Sequence, residues 1–139
     1  MERLRDWVAS NPPALAGKSL FLLRNLSRGR GVGFFEDAGF YPDFILWIKE
    51  GTRQRILFID PHGMLLNSAP TDDKVQLHTR IKQIEQNLGN PDVVLDSFIV
   101  STTPFATLSS APAWRGYDRR QFAIEHVVFE DDDLQALLV

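Results

Sequence analysis

Two carboxylates sit where apolar runs begin and end. Asp43 precedes Phe44-Ile45-Leu46-Trp47-Ile48, and Asp60 closes Ile56-Leu57-Phe58-Ile59. A lone carboxylate buried in a strand is costly, or it shifts its pKa. Asp43 lies eight residues before Gly51 and Asp60 nine residues after it. A hairpin turn at Glu50-Gly51-Thr52-Arg53 would therefore set the two acids nearly opposite one another. Like charges facing each other weaken a sheet. A shared hard cation with oxygen ligands, such as Mg²⁺, removes that penalty. His62 lies two residues past Asp60, so in an extended chain it faces the same side. There an imidazole can orient a water or meet charge developing on a phosphate. The plainer readings are a solvated aspartate at a strand start and a turn histidine between Pro61 and Gly63, and the residues alone leave both open.

Arg24, Arg28 and Arg30 flank Gly29, Gly31 and Gly33. Guanidinium groups beside closely approachable backbone suit phosphate contacts, although a loop that is merely basic has the same composition. No Gly-Lys-Ser/Thr follows, so this is not a nucleotide-binding P-loop. Lys74 and His78 are one helical turn apart and either face the same cleft or form the wet side of a helix. His62, His78 and His126 lack the spacing of a zinc motif. Ser101-Thr102-Thr103 offers hydroxyls after a strand, but no His/Asp arrangement makes one of them a nucleophile.

The elements that must hold these groups can be read from periodicity. Residues 2–10 suit a short helix with Leu4, Trp7 and Val8 on one face, stopped by Asn11-Pro12-Pro13. Strands are expected over Ser19–Asn25, Phe40–Ile48 and Gln54–Asp60, the last closed by Pro61-His62-Gly63. A helix follows over Thr71–Leu88, capped by Thr71, with Leu77, Ile81, Ile84 and Leu88 on one face and Gly89-Asn90-Pro91 at its end. Val93–Thr102 reads as a fourth strand. Strand, helix, strand implies a parallel pair. Residues 111–116 read as loop, His126–Phe129 as a short fifth strand, and Leu134–Val139 as a terminal helical turn. Strands apolar on both faces should be covered on both sides. The expected fold is an α/β sandwich with a mixed central sheet of four to five strands flanked by helices, in the order α-β-β-β-α-β.

Length and composition agree with one domain. The 139 residues are 44% hydrophobic and 24% charged, as in an ordinary soluble protein. No apolar run approaches the ~20 residues that span a bilayer, and Met1-Glu2-Arg3 opens no secretory signal. The absence of cysteine excludes disulfides and thiolate metal sites and is compatible with a cytoplasmic protein. The net charge of −3 excludes a generic polyanion binder and leaves only local basic patches to meet phosphate.

Pro42-Asp43, a spacer, and Asp60-x-His62 resemble the motif of the PD-(D/E)xK nuclease superfamily, with His in the place of Lys. More narrowly, Leu22-Leu23-Arg24-Asn25, Arg28 to Glu36, Phe40 to Trp47 and Asp60-Pro61-x-Gly63 resemble the nuclease-like C-terminal region of some bacterial DEAD/DEAH-type and type III restriction-like helicases. The likeness runs from about Leu22 to Phe129. It implies a restriction-endonuclease-like domain over residues 1–139, alone or as one module of a larger protein. The implied activity is metal-dependent DNA endonuclease chemistry in a restriction or phage-defence system. Asp43 and Asp60 would bind Mg²⁺ or Mn²⁺ with the Pro61 carbonyl as third ligand, His62 would stand for the lysine, and Glu36 would be an additional acid, with Glu2 a weaker contender. Arg24, Arg28 and Arg30 would contact DNA phosphates. DNA is the implied partner, with a helicase or ATPase module in the same or another chain, and no membrane. A histidine is largely neutral at pH 7, so the substitution implies pH-dependent activity, or a nuclease-like module that binds DNA or protein and cuts nothing.

Overall fold

A computed structural model of the protein describes residues 2–10, 13–26, 30–34, 40–66, 68–130 and 134–138. The helix α1 (Glu2–Ala9) comes first. The strands β1 (Ser19–Arg24), β2 (Phe44–Glu50) and β3 (Arg53–His62) follow, then α2 (Asp73–Leu88) and β4 (Val93–Ser101). The short helices α3 (Phe105–Leu108) and α4 (Arg119–Ile124) lead into β5 (Val127–Phe129). The five strands form one mixed sheet in sequence order, antiparallel from β1 to β3 and parallel from β3 to β5. The α/β class, the five-stranded mixed sheet and the parallel crossover agree with the sequence reading. No helix among the described residues is long and apolar enough to cross a membrane.

The β2–β3 turn is the two-residue connection Gly51-Thr52, closed by the pair Glu50↔Arg53, with Gly51 at φ 60°. A turn of this length allows one register. Alternation then divides the strands between two faces. On one face Leu46, Ile48, Leu57, Ile59, Val100 and Val128 are buried, covered by Leu15 and Leu137 from short 3-10 turns. On the other, α2 lays Leu77 and Ile81 against Phe58 and Leu95. Farther along that face, α3 and α4 enclose Ile99, Val127 and Phe129 with the fully buried Trp114 and Phe122. Among the described residues, α2 covers one face of the sheet, and the short 3-10 turns at Pro13–Leu15 and Leu134–Leu138 close the other.

Several boundaries differ from expectation for identifiable reasons. The second strand begins at Phe44, not Phe40, because Phe40 instead forms an isolated bridge with Phe34, each donating to the other's carbonyl. The third strand continues through Pro61 and His62, because β4 runs alongside and the Thr102 N–H reaches the His62 carbonyl. Helix α2 starts two residues later than predicted, with Asp72 rather than Thr71 at its N-cap position and no side-chain cap bond. Ile84 and Leu88 repeat at helical spacing yet are exposed. Residues 105–108 and 119–124 are helical where no helix was expected. The second of these is opened by a capping box between Asp118 and Gln121.

Parallel pairing with β5 begins only at Ile99, which leaves the earlier edge of β4 open. Side chains close it. Glu85 accepts from the Leu95 N–H at 2.7 Å, and Lys82 donates to the Leu95 carbonyl at 2.7 Å. The Leu95 N–H, followed by the Lys82 ammonium, holds the Glu85 carboxyl below its usual range. His126 Nδ1 reaches the Ser97 carbonyl at 3.1 Å. This latch fixes α2 over the sheet, and so fixes where its first turn lies relative to the end of β3.

Candidate functional site

The ladder between β2 and β3 ends at Phe44↔Ile59, and one further step places Asp43 opposite Asp60. Pairing of β1 with β2 also runs one residue past the strand, since the Asn25 N–H donates to the Asp43 carbonyl at 2.8 Å. Both acids therefore lie on the α2 face, at the carboxyl end of β3. They differ in environment. Asp60 is 7% exposed, whereas Asp43 is open to solvent.

Burial, the largest influence, pushes the Asp60 carboxyl above the usual carboxylate range. Lys74 opposes that rise, the Asp43 charge adds to it, and His62 and a backbone hydrogen bond from Asp43 oppose it further. Lys74, in the first turn of α2, brings its Nζ to 3.8 Å from Asp60 Oδ2 and 5.0 Å from the centre of the Phe40 ring. The aromatic face and the carboxylate together hold this cation at the acid pair.

Pro61 would be out of place in the middle of a central strand. It is accommodated because β2 has ended before reaching it. Backbone groups of successive residues point to opposite edges of a strand. Gln54 and His62 bond to the β4 side, so Pro61 directs its carbonyl to the other edge, where Asp43 lies. His62 shares the Asp60 face and lines a cavity of about 410 Å³ with Met64, Ser68, Asp72, Lys74 and Ile99. The wall of this cavity is held by Trp114 Nε1, which donates to Ser68 Oγ at 3.1 Å, while Ser68 donates to the Met64 carbonyl. Ser101 and Thr103 are buried and occupied in the same closure. The Met64 N–H donates to Thr103 Oγ1 at 3.0 Å, and Ser101 Oγ donates to the Thr103 carbonyl at 2.8 Å.

Asn25 is the residue that places Asp43. Its Nδ2 donates to the Val32 carbonyl at 2.7 Å and to the Pro42 carbonyl at 2.9 Å, and its Oδ1 accepts from the Val32 N–H at 3.0 Å. A Cβ on Gly31 would overlap the Leu26 carbonyl, and one on Gly33 the Tyr41 ring. These two glycines therefore serve close packing of the loop.

The structure thus gathers Asp43, Asp60, Pro61, His62 and Lys74. It does not gather Arg24, whose register partner is Phe44, on the face opposite the acids. Arg30 sits in an exposed bend of the loop that Asn25 holds. Arg28 and Glu36 lie outside the described residues. His78 does not turn toward the acids either. Its ring stacks on His126 at 4.1 Å, with Glu125 Oε2 at 3.7 Å from its Nε2. The sequence left Lys74 open between the cleft and the wet side of a helix, and the structure sets it beside Asp60; Asn25 was not singled out. The signal for Asn25 was an asparagine at the end of a strand ahead of a glycine-rich loop, where a side-chain amide readily bridges backbone groups.

Two carboxylates and one carbonyl form a hard-oxygen set that suits Mg²⁺ or Mn²⁺ completed by water, because Mg²⁺ sites commonly use one or two carboxylates and keep several waters. No cluster of three or more His, Cys, Asp or Glu side chains fit to hold a metal occurs among the described residues. No protein-family model, curated protein or solved structure matches this chain.

Proposed function

We propose that the protein is a metal-dependent DNA phosphodiesterase of the PD-(D/E)xK type, with Lys74 on α2 supplying the positive charge that the motif's lysine would bring. The observation that carries this reading is the convergence of Asp43, Asp60 and the Lys74 ammonium on one face at the end of β3. The order of a helix, three antiparallel strands, a crossover helix and a parallel strand supports a restriction-endonuclease-like fold. A restriction or defence role, and a helicase module as partner, follow from the resemblance alone.

In this mechanism Asp43, Asp60 and the Pro61 carbonyl would hold Mg²⁺ or Mn²⁺. The ion supplies Lewis acidity, which lowers the pKa of water and screens phosphate charge. Lys74 lies beside Asp60 and meets charge that builds on the phosphate oxygens. His62, on the same face and bordering the open cavity, accepts a proton from the attacking water. Asn25 keeps Asp43 in register with Asp60. The His62 in place of lysine, and a Lys74–Asp60 pair that is self-neutralising, favour a second reading in which the domain binds DNA and does not cut it.

The test is cleavage of plasmid and end-labelled oligonucleotide in Mg²⁺ or Mn²⁺. The wild type is expected to cut, with activity lowered at least ~100-fold in Asp43→Asn and Asp60→Asn. Wild-type protein that binds DNA and never cuts it supports the second reading. Cleavage equal in all three proteins overturns the assignment of these acids.

A further inference from the structure

Next to the acid pair, on the same face of the sheet, α2 leaves β1 and the outer part of β2 uncovered. Phe21 pairs with Trp47 and Leu23 with Ile45, and the next same-face pair along this ladder is Asn25 with Asp43. Phe21 is 50% exposed and Leu23 49% exposed. The Phe21 and Trp47 rings lie 6.2 Å apart at 58°. Trp47 Nε1 donates to Gln54 Oε1 at 3.1 Å, which fixes the indole against the sheet. Lys49 follows two residues after Trp47 on this face and is exposed. An aromatic strip therefore leads along β1 toward Asp43, with Lys49 at its far end and Lys74 at its near end.

Resting on the nuclease reading above, the geometry points to a substrate with unpaired bases, a single strand or a flap, whose bases stack on Phe21 and Trp47 as its backbone runs toward Asp43 and Asp60. Exposed aromatic rings along a groove with cations are how proteins grip single-stranded nucleic acid without reading its sequence. A duplex turns phosphates and groove edges outward and offers no base face to a ring on a strand, so it has no use for Phe21. A purely apolar protein partner would have to enclose Lys49 and Asp43, which is costly. From Asn25, opposite Asp43, to Phe21 is four residues, about 13 Å of strand. That span suits a short stretch of extended single strand.

The experiment measures anisotropy of a labelled twelve-nucleotide oligo(dT) and of a twelve-base-pair duplex in EDTA, so that no hydrolysis intervenes. Wild type is expected to bind the single strand more tightly than the duplex, with quenching of tryptophan emission. Phe21→Ala is expected to weaken single-strand binding about five-fold or more and to leave duplex binding unchanged. Phe21→Tyr, which keeps the ring, is expected to retain it. Equal oligo(dT) affinity in wild type and Phe21→Ala overturns the proposal. So does a wild-type self-association that Phe21→Ala abolishes without altering oligonucleotide affinity, since the strip is then a protein interface. Failure of metal-dependent cleavage, with the Phe21 effect intact, would overturn the nuclease reading and leave this surface standing.

Discussion

Replacing Lys74 by Met removes the ammonium beside Asp60 while keeping a straight chain over Phe40. At 3.8 Å and an effective dielectric constant of about 20, the direct attraction is about 4 kcal/mol. Lys74 is 45% exposed along its side chain, so solvent screening and lost side-chain freedom take most of this away, and about 0.5–1 kcal/mol should remain. The contact with Phe40 contributes as well, which is why the pair needs a double-mutant cycle with Asp60→Asn. Lys74→Met should lower stability by about 0.5–1 kcal/mol more in the wild-type background than in Asp60→Asn, as read by urea unfolding at pH 7. The sign of the pH dependence follows from Asp60, whose carboxyl is raised above 3.8. In the unfolded chain this group ionises first, so its contribution to stability is complete below pH 3.8 and is lost as pH rises through the folded-state value. Asp60→Asn should therefore be at least as stable as wild type at pH 7, with the advantage vanishing in acid. A cycle coupling below ~0.3 kcal/mol, or an Asp60→Asn protein less stable than wild type at neutral pH, would refute the reasoning.

Two further outcomes follow from the structure. Asn25→Ala removes three hydrogen bonds that tie Val32 and Pro42 together. It should cost about 1–3 kcal/mol in chemical denaturation and should lower cleavage at saturating metal, because Asp43 loses its register. Burial first, then the neighbouring His126, lowers the His78 pKa below 6.5, while Glu125 and Asp96 oppose. The unfolded chain therefore takes up this proton first as pH falls, and stability present above pH 6.5 is lost below it. His78→Phe should flatten the stability–pH curve on the acid side of pH 6.5, measured by thermal melts across pH 5–8; an unchanged curve would contradict that assignment.

The parts of this fold that were legible in the sequence are those governed by local chemistry. Apolar runs mark β2, β3 and β4, and Gly51 marks a turn short enough to fix which residues face each other, so the facing of Asp43 and Asp60 is legible in the sequence. Pro61 misled, because proline ends most strands and the local sequence does not reveal that β2 stops before reaching it. Lys74 approaches Asp60 because Leu77 and Ile81 seat the helix on Phe58 and Leu95, a docking geometry that helical spacing alone does not give. The same docking leaves Ile84 and Leu88 exposed despite their periodicity. The stack of Phe98, His126 and His78 joins residues far apart in sequence. It depends on His126 adopting φ 55° at the junction of α4 and β5, which no local pattern announced. Helix α4, opened by the Asp118–Gln121 capping box, is short and holds too few apolar residues for periodicity to mark it.

Calorimetric titration of Mn²⁺ into the wild-type protein and Asp43→Asn tests most directly whether the end of β3 grips an ion. The account predicts a saturable wild-type site that disappears when the Asp43 carboxylate becomes an amide. Wild-type protein with no heat of Mn²⁺ binding, or a variant that binds equally well, would contradict it.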